Sequence, residues 1–447
     1  MESGGQSEIE IEQDKRGPKK VPKVFSFLES GLIRRTLVYT VSGSISALVA
    51  FFLLPVLTRF LSPYDFGVVE TFTALTTCLS GIVLIGGNTI LAKEYFDLNR
   101  VGQQRLIGQI ILLVLCSAAS ISGVLYVVEW SNKALAHTFK IEEVVIYLAI
   151  VVAAANAVIA LTTTLLQVQK KAVTYTLYVN AKTILELSIS LSAIILLGFK
   201  WQGRLAGIMI SSLSFAVVGL FFLEPISDQS VLDLRNAKRL AVLGLPLVAA
   251  HISVWIYGMV DRVMISNMFD MAATGVYSVG FRFATVVGMV ETAFSVAWMP
   301  YFYENIRLND RQVDERIVRM TFMYAAALLT FAVAFGWGSR WLITVMVDSR
   351  FSAARSFTFL LCMGFWFSGL WKLLGCYLIA AGNTKIYGLI TSATAIFHIG
   401  LTLYLLRHIG IIGAAWATML SFAVATITTF IIAARLRPMP WLSALKC

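Results

Sequence analysis

The chain has 447 residues, of which 58% are hydrophobic and only 14% charged, with a mean hydropathy of +0.79. A soluble protein of this size needs a far larger charged surface, so the composition points to a polytopic membrane protein. The net charge of +11 would suggest a nucleic-acid partner in a soluble chain, but here the excess lies in a tail and short loops, the positive-inside pattern, and no nucleic acid is expected.

Residues 1–35 mix acids and bases without the apolar core of a secretory signal, and read as a flexible cytoplasmic tail. Six apolar runs follow at 36–60, 67–91, 106–128, 144–167, 175–197 and 205–223. A polar connection at 224–241 leads to six more, at 242–267, 274–299, 317–336, 357–381, 386–406 and 411–434, and to a tail at 435–447. Each run is near the ~20 residues that cross the hydrocarbon as a helix, and runs this long exclude barrel strands. The stretch GSRWLITVMVDSR after the ninth run is half apolar and could lie on the membrane surface.

The fold class is therefore all-α, with about 12 transmembrane helices. The halves 36–223 and 242–434 form two six-helix lobes around a central cavity, a plan known among transporters. Their turns are alike, since NMFDMAATGVYS at 267–278 parallels RFLSPYDFGVVE at 59–70. With the N-terminus inside, the inner segments carry 23 Lys and Arg and the outer ones 9, which places both termini in the cytoplasm.

Four cations interrupt the spans: Lys182, Arg262, Arg282 and Lys372. A charge deep in the bilayer costs roughly 2.5–3.5 kcal/mol even on the mildest scale, so each must face a partner or a wet cavity. Lys182 and Glu186 stand one turn apart, which allows a local pair as well as a cavity-lining role. Asp261 and Arg262 fall near the outer end of span seven, where interfacial anchoring or contact between lobes is expected. Arg282 has no acid one turn away, with Glu291 nine residues further along the helix, and Lys372 has no acid on its own span.

These two are the leading substrate-binding candidates. Glu186, Glu291, Asp261 and His251 are candidates for ion coupling, although a packed, hydrogen-bonded histidine is the plainer reading of His251 and of His398. Gly244 and Pro246 predict a kink or unwinding in span seven. No P-loop, HExxH, CxxC or GxSxG occurs, and the five cysteines show no metal spacing, so no cofactor, metal or catalytic residue is expected.

FLLPVLTRFLSPYDFGVVETF at 52–72 and GGNTILAKEYFD at 86–97 resemble segments of Wzx-type polysaccharide repeat-unit flippases. These belong to the multidrug/oligosaccharidyl-lipid/polysaccharide exporter superfamily. VDRVMISNMFDMAATGVYSVGFRFATVV at 260–287 and AFSVAWMPYFYE at 293–304 are similar to the seventh and eighth helices of that group. The resemblance implies a non-enzymatic carrier in the bacterial inner membrane. It would flip a polyprenyl-pyrophosphate-linked oligosaccharide by alternating access, coupled to protons or sodium and working beside polysaccharide-assembly proteins. A cationic cavity would hold the pyrophosphate, with Lys182, Arg282 and Lys372 matching by depth and Arg34 and Arg35 at the cytoplasmic entrance. The last two also read as ordinary topogenic charge. An ion-coupled drug or cation exporter, a lipid flippase for the peptidoglycan precursor (which helices beyond twelve would favour) and a membrane polysaccharide polymerase or ligase are the competing readings.

Overall fold

The computed structural model describes residues 48, 49, 51–132, 140–224, 234–308 and 310–441. The tail at 1–35, with Arg34 and Arg35, lies outside the described residues, as does most of the first predicted span. What is described of that span ends in a short helix, α1 (Leu54–Phe60). The N-terminal half continues with α2 (Pro63–Leu84), α3 (Gly87–Glu94), α4 (Arg100–Asn132), α5 (Glu143–Val168), α6 (Ala172–Ile195) and α7 (Trp201–Leu223). The second half holds α8 (Leu234–Met268), α9 (Met271–Asn305), α10 (Arg311–Met346), α11 (Thr358–Ala380), α12 (Thr384–Ile409) and α13 (Ile412–Leu436). Eleven of these helices are long and apolar enough to cross a membrane, and no strand occurs among the described residues.

Helices α2, α5, α6 and α7 pack on one another, as do α9, α10, α11, α12 and α13. The two groups meet where α2 lies against α8 and α9. Successive spans alternate in direction. One end of the bundle therefore carries the starts of α2 and α9 (the cap end), and the other carries the start of α8 (the linker end).

The cap end shows why the two halves have similar turns. Ser62 opens α2 with a capping box: its hydroxyl accepts from the Asp65 amide at 3.1 Å, and its own amide donates to Asp65 Oδ2 at 3.0 Å. Asp270 opens α9 by accepting from the Ala273 amide at 2.7 Å. The equivalent glycines five residues on, Gly67 and Gly275, then pack on each other's helices. A Cβ on Gly67 would lie 1.9 Å from the Met271 carbonyl oxygen, and one on Gly275 would lie 2.0 Å from that of Pro63. Only glycine permits this crossing.

Three expectations about the helices are revised. The run at 67–91 is two helices, because Ile85 and Gly86 both turn left-handed, with φ of 46° and 66°. Span seven does not unwind: α8 is helical straight through Pro246. Gly244 serves instead as a point of close approach, since a Cβ there would lie 1.9 Å from the Ile85 carbonyl oxygen at the α2 break. Finally, the stretch after the ninth run is not a separate segment but continues the helix of that span. Helix α10 continues to Met346, and the chain turns only in a 3-10 segment, Ser349–Ser356.

Candidate functional site

Each intramembrane cation has an acidic partner, and most of the partners come from other helices. Glu70 on α2 stands between two arginines of the opposite lobe. Arg262 Nε on α8 donates to its Oε2 at 3.2 Å, and Arg282 Nε on α9 donates to its Oε1 at 2.9 Å. Arg262 also donates to the Gly258 carbonyl at 2.6 Å and lies 4.5 Å from the Phe281 ring centre. Its side chain is only 3% exposed, so it is not an anchor at the membrane rim, whereas Arg282 keeps 29% exposure and can still meet a solute.

Asp261, next along α8, points into the C-terminal lobe and is equally buried. The Tyr277 and Thr418 hydroxyls donate to its Oδ2 at 2.7 and 2.8 Å, and Thr402 donates to Oδ1 at 3.3 Å. His398 Nε2 lies 3.2 Å from Oδ1, while its Nδ1 is 3.1 Å from Ser421 Oγ. Side chains of three other helices thus converge on one buried carboxylate, which suits a group that holds or exchanges a cation.

Glu291 on α9 meets Lys372 on α11, with Nζ 2.5 Å from Oε1. Gly369 makes room for this pair, since a Cβ there would lie 2.8 Å from Glu291 Cγ. The Glu291 side chain is sealed at 1% exposure and that of Lys372 is 42% exposed, so a solute meets the lysine. It does so in a cavity of about 590 Å³ inside the C-terminal lobe, between α8, α9, α11, α12 and α13. Aromatic faces dominate its wall. Tyr257 stacks on Phe422 at 5.1 Å and tilts against Trp371 at 5.5 Å, and Trp371 packs against Tyr387 at 5.8 Å. Ser253 and Ser392, whose hydroxyls lie 3.4 Å apart, add polar edges. Lys372 is the charged member of this lining among the described residues.

The remaining cations sit elsewhere. Lys182 Nζ pairs with Glu186 Oε2 at 3.1 Å on α6, and Arg204 on α7 reaches Glu186 Oε1 at 2.7 Å and Ser190 Oγ at 3.0 Å. His251 packs at the seam between lobes, with Nε2 3.1 Å from the Thr77 carbonyl oxygen, in space left by Gly81. The structure therefore does not gather Lys182, Arg282 and Lys372 into one cavity. Lys372 lines the cavity, Arg282 belongs to the seam, and Lys182 lies in the N-terminal lobe.

Two members of these clusters were missed in the sequence. Glu70 stands inside an apolar run, and its signal in the sequence is that of a lone acid there. Arg204 falls just before the sixth apolar run at 205–223, whereas α7 begins at Trp201 and buries Arg204.

This two-lobe helical architecture is the fold of a class of membrane transporters. The lipid II flippase MurJ in an inward closed conformation superposes with a TM-score of 0.69, at 13% identity, over 91% of this chain and 90% of that one. The MATE multidrug transporter DinF-BH gives 0.64 at 15% identity, over 94% and 98% of the two chains. An inward-facing MATE family transporter of the MOP superfamily gives 0.63 at 14%, over 92% and 95%. These similar structures are transporters and flippases rather than enzymes.

The sequence profile of the polysaccharide biosynthesis protein family matches residues 32–306, and the chain belongs to that family. Lsg locus putative protein 1 of Haemophilus influenzae (strain ATCC 51907 / DSM 11121 / KW20 / Rd) is 33% identical over 72 residues. That match spans 16% of this chain and 18% of the relative.

Proposed function

We propose that the protein flips a polyprenyl-pyrophosphate-linked oligosaccharide from the cytoplasmic to the outer leaflet of the bacterial inner membrane by alternating access. It would serve the synthesis of a cell-surface polysaccharide such as O-antigen or exopolysaccharide. The observation that carries this reading is the cavity wall, where the half-exposed side chain of a cation, Lys372, stands among stacked aromatic rings. Sugar rings offer apolar C–H faces to aromatic side chains, and a phosphate needs charge compensation to enter a medium of low dielectric. Arg282 supplies a second partly exposed cation at the lobe seam. The prenyl tail can stay in lipid if the cleft opens sideways. Family membership supports a role in polysaccharide synthesis, and the bias of 23 to 9 basic residues supports cytoplasmic termini.

The coupling site for a proton or sodium ion is assigned on this reading to the Asp261 cluster, where four side chains meet one carboxylate. Glu291, Glu186 and His251 serve pairing and packing. The reading is tested with purified protein in proteoliposomes carrying a fluorescent lipid-linked oligosaccharide. Lys372→Ala and Arg282→Ala are each expected to slow its appearance in the opposite leaflet at least tenfold, and Lys372→Arg to retain most of it. Wild-type rates in both alanine variants would sink the proposal.

One observation favours a second reading. An aromatic cavity with a buried carboxylate, Glu291, behind its lysine would also accept an apolar cation if the lysine swung aside. Cation-dye efflux from the same vesicles, undiminished by the oligosaccharide, would favour that exporter.

A further inference from the structure

At the cap end, two cations each cross from one lobe to the other and land on the same feature. Lys140, just before α5, donates to the carbonyls of Asn267 and Phe269 at 3.1 and 3.3 Å, at the C-terminus of α8. Arg350, in the 3-10 segment before α11, donates through Nη2 to the carbonyls of Thr58 and Arg59, both at 3.1 Å, at the C-terminus of α1. The two contacts are copies of each other. Each cation sits in the connection leading into the fourth span of its half, and each grips the end of the first span of the other half. Arg59 lies three residues before the cap Ser62, and Asn267 lies three before the cap Asp270.

Local chemistry favours both contacts. The last carbonyls of a helix lack intrahelical donors and carry the negative end of its dipole, so a cation is held there. Lys140 adopts φ +49°, a left-handed conformation unusual for a lysine, which the surrounding contacts must sustain. Arg350 is fixed from its own side, since its amide and Nε both donate to Asp348 Oδ1, at 3.0 and 2.8 Å. The hydrogen bonds from Arg350, with Arg59 of the other lobe nearby, hold the Asp348 carboxyl below the usual carboxylate range.

We propose that Lys140 and Arg350 form a symmetric pair of clasps that shut the two lobes at the cap end, and that both must release before the cleft opens there. The proposal rests on the alternating-access reading, but its readout needs no substrate.

The test uses the full-length protein in proteoliposomes with Thr71→Cys, a thiol buried at the lobe seam beside Met271. The rate of its modification by a membrane-impermeant maleimide is read by mass spectrometry, with the chain lacking the added cysteine as blank. A cation at a helix C-terminus shifts an equilibrium by about two- to fivefold. Lys140→Ala and Arg350→Ala are each expected to raise the rate by that factor, and the double variant by the product. Lys140→Arg and Arg350→Lys should stay near the parent rate. Cys362, buried in the core of the C-terminal lobe, monitors general loosening and should label no faster. An unchanged Thr71→Cys rate in the double variant overturns the proposal, and so does a parallel rise at Cys362. Loss of flipping with these labelling responses intact would count against the substrate and leave the clasps standing.

Discussion

A buried carboxylate shared by two guanidiniums matters most when it is removed. Glu70 neutralises Arg262, which has almost no solvent, so Glu70→Ala leaves it without an ion-pair partner among the described residues, held only by the Gly258 carbonyl and the Phe281 ring. Breaking a buried pair in this way costs about 3–5 kcal/mol. Arg282→Ala should cost less, because Glu70 keeps Arg262 and the head group lost was partly exposed. Thermal unfolding of the two variants in detergent should therefore rank Glu70→Ala as clearly the less stable, and equal melting temperatures would contradict the assignment.

Lys372 poses a different problem, since removing it strands Glu291. The double variant Lys372→Met/Glu291→Gln separates the two effects. It should recover most of the stability lost in Lys372→Met while transport stays impaired, and recovery of transport would show that the lysine only neutralises its neighbour. Of these pairings, the sequence revealed Lys182 with Glu186, because one helical turn relates them. Glu70 is 192 residues from Arg262 and 212 from Arg282, a relation that only the folded chain creates.

For the helices, legibility depends on how local the cause is. Hydropathy located every described span, because the bilayer imposes length and apolarity on each one separately. The break at Ile85 had one local signal, the Gly86-Gly87 pair that follows it, while isoleucine itself carries none and the close approach of Gly244 comes from another helix. Pro246 was misread because neighbouring helices allow a membrane helix to continue through proline.

The glycines give a prediction at this scale. Gly67→Ala and Gly275→Ala put a Cβ into backbone oxygen, which cannot swing away, so each should force α2 and α9 apart. At Gly338 and Gly400 a Cβ meets open space, and alanine there should stabilise the helix by about 0.5–1 kcal/mol. Melting temperatures should fall for the first pair and hold or rise for the second. The opposite order would mean that the crossing is looser than the contacts indicate.

The two-lobe plan could be read from the sequence because the similar turns at 59–70 and 267–278 mark the same place in each half. The interior could not, because four cations noticed alone suggested a basic vault. Five cations (Lys182, Arg204, Arg262, Arg282, Lys372) instead stand against four carboxylates (Glu70, Glu186, Asp261, Glu291). Counted in the charged forms in which they pair, these five cations and four carboxylates leave a net charge of +1. Moving one elementary charge through the whole membrane field is worth about 2.3 kcal/mol per 100 mV. A lobe that rocks with its ion pairs intact moves far less charge than a row of bare cations would, so the empty carrier should reset almost independently of membrane voltage. On the proposed function the loaded carrier would hold a pyrophosphate besides, and its forward step should then respond to the potential. Flipping rates at imposed potassium diffusion potentials, under saturating and limiting substrate, would show which step feels the field. The balance of buried charge is thus also an electrical property: on the proposed function it would make the cargo, rather than the protein, the voltage-sensing part of the cycle.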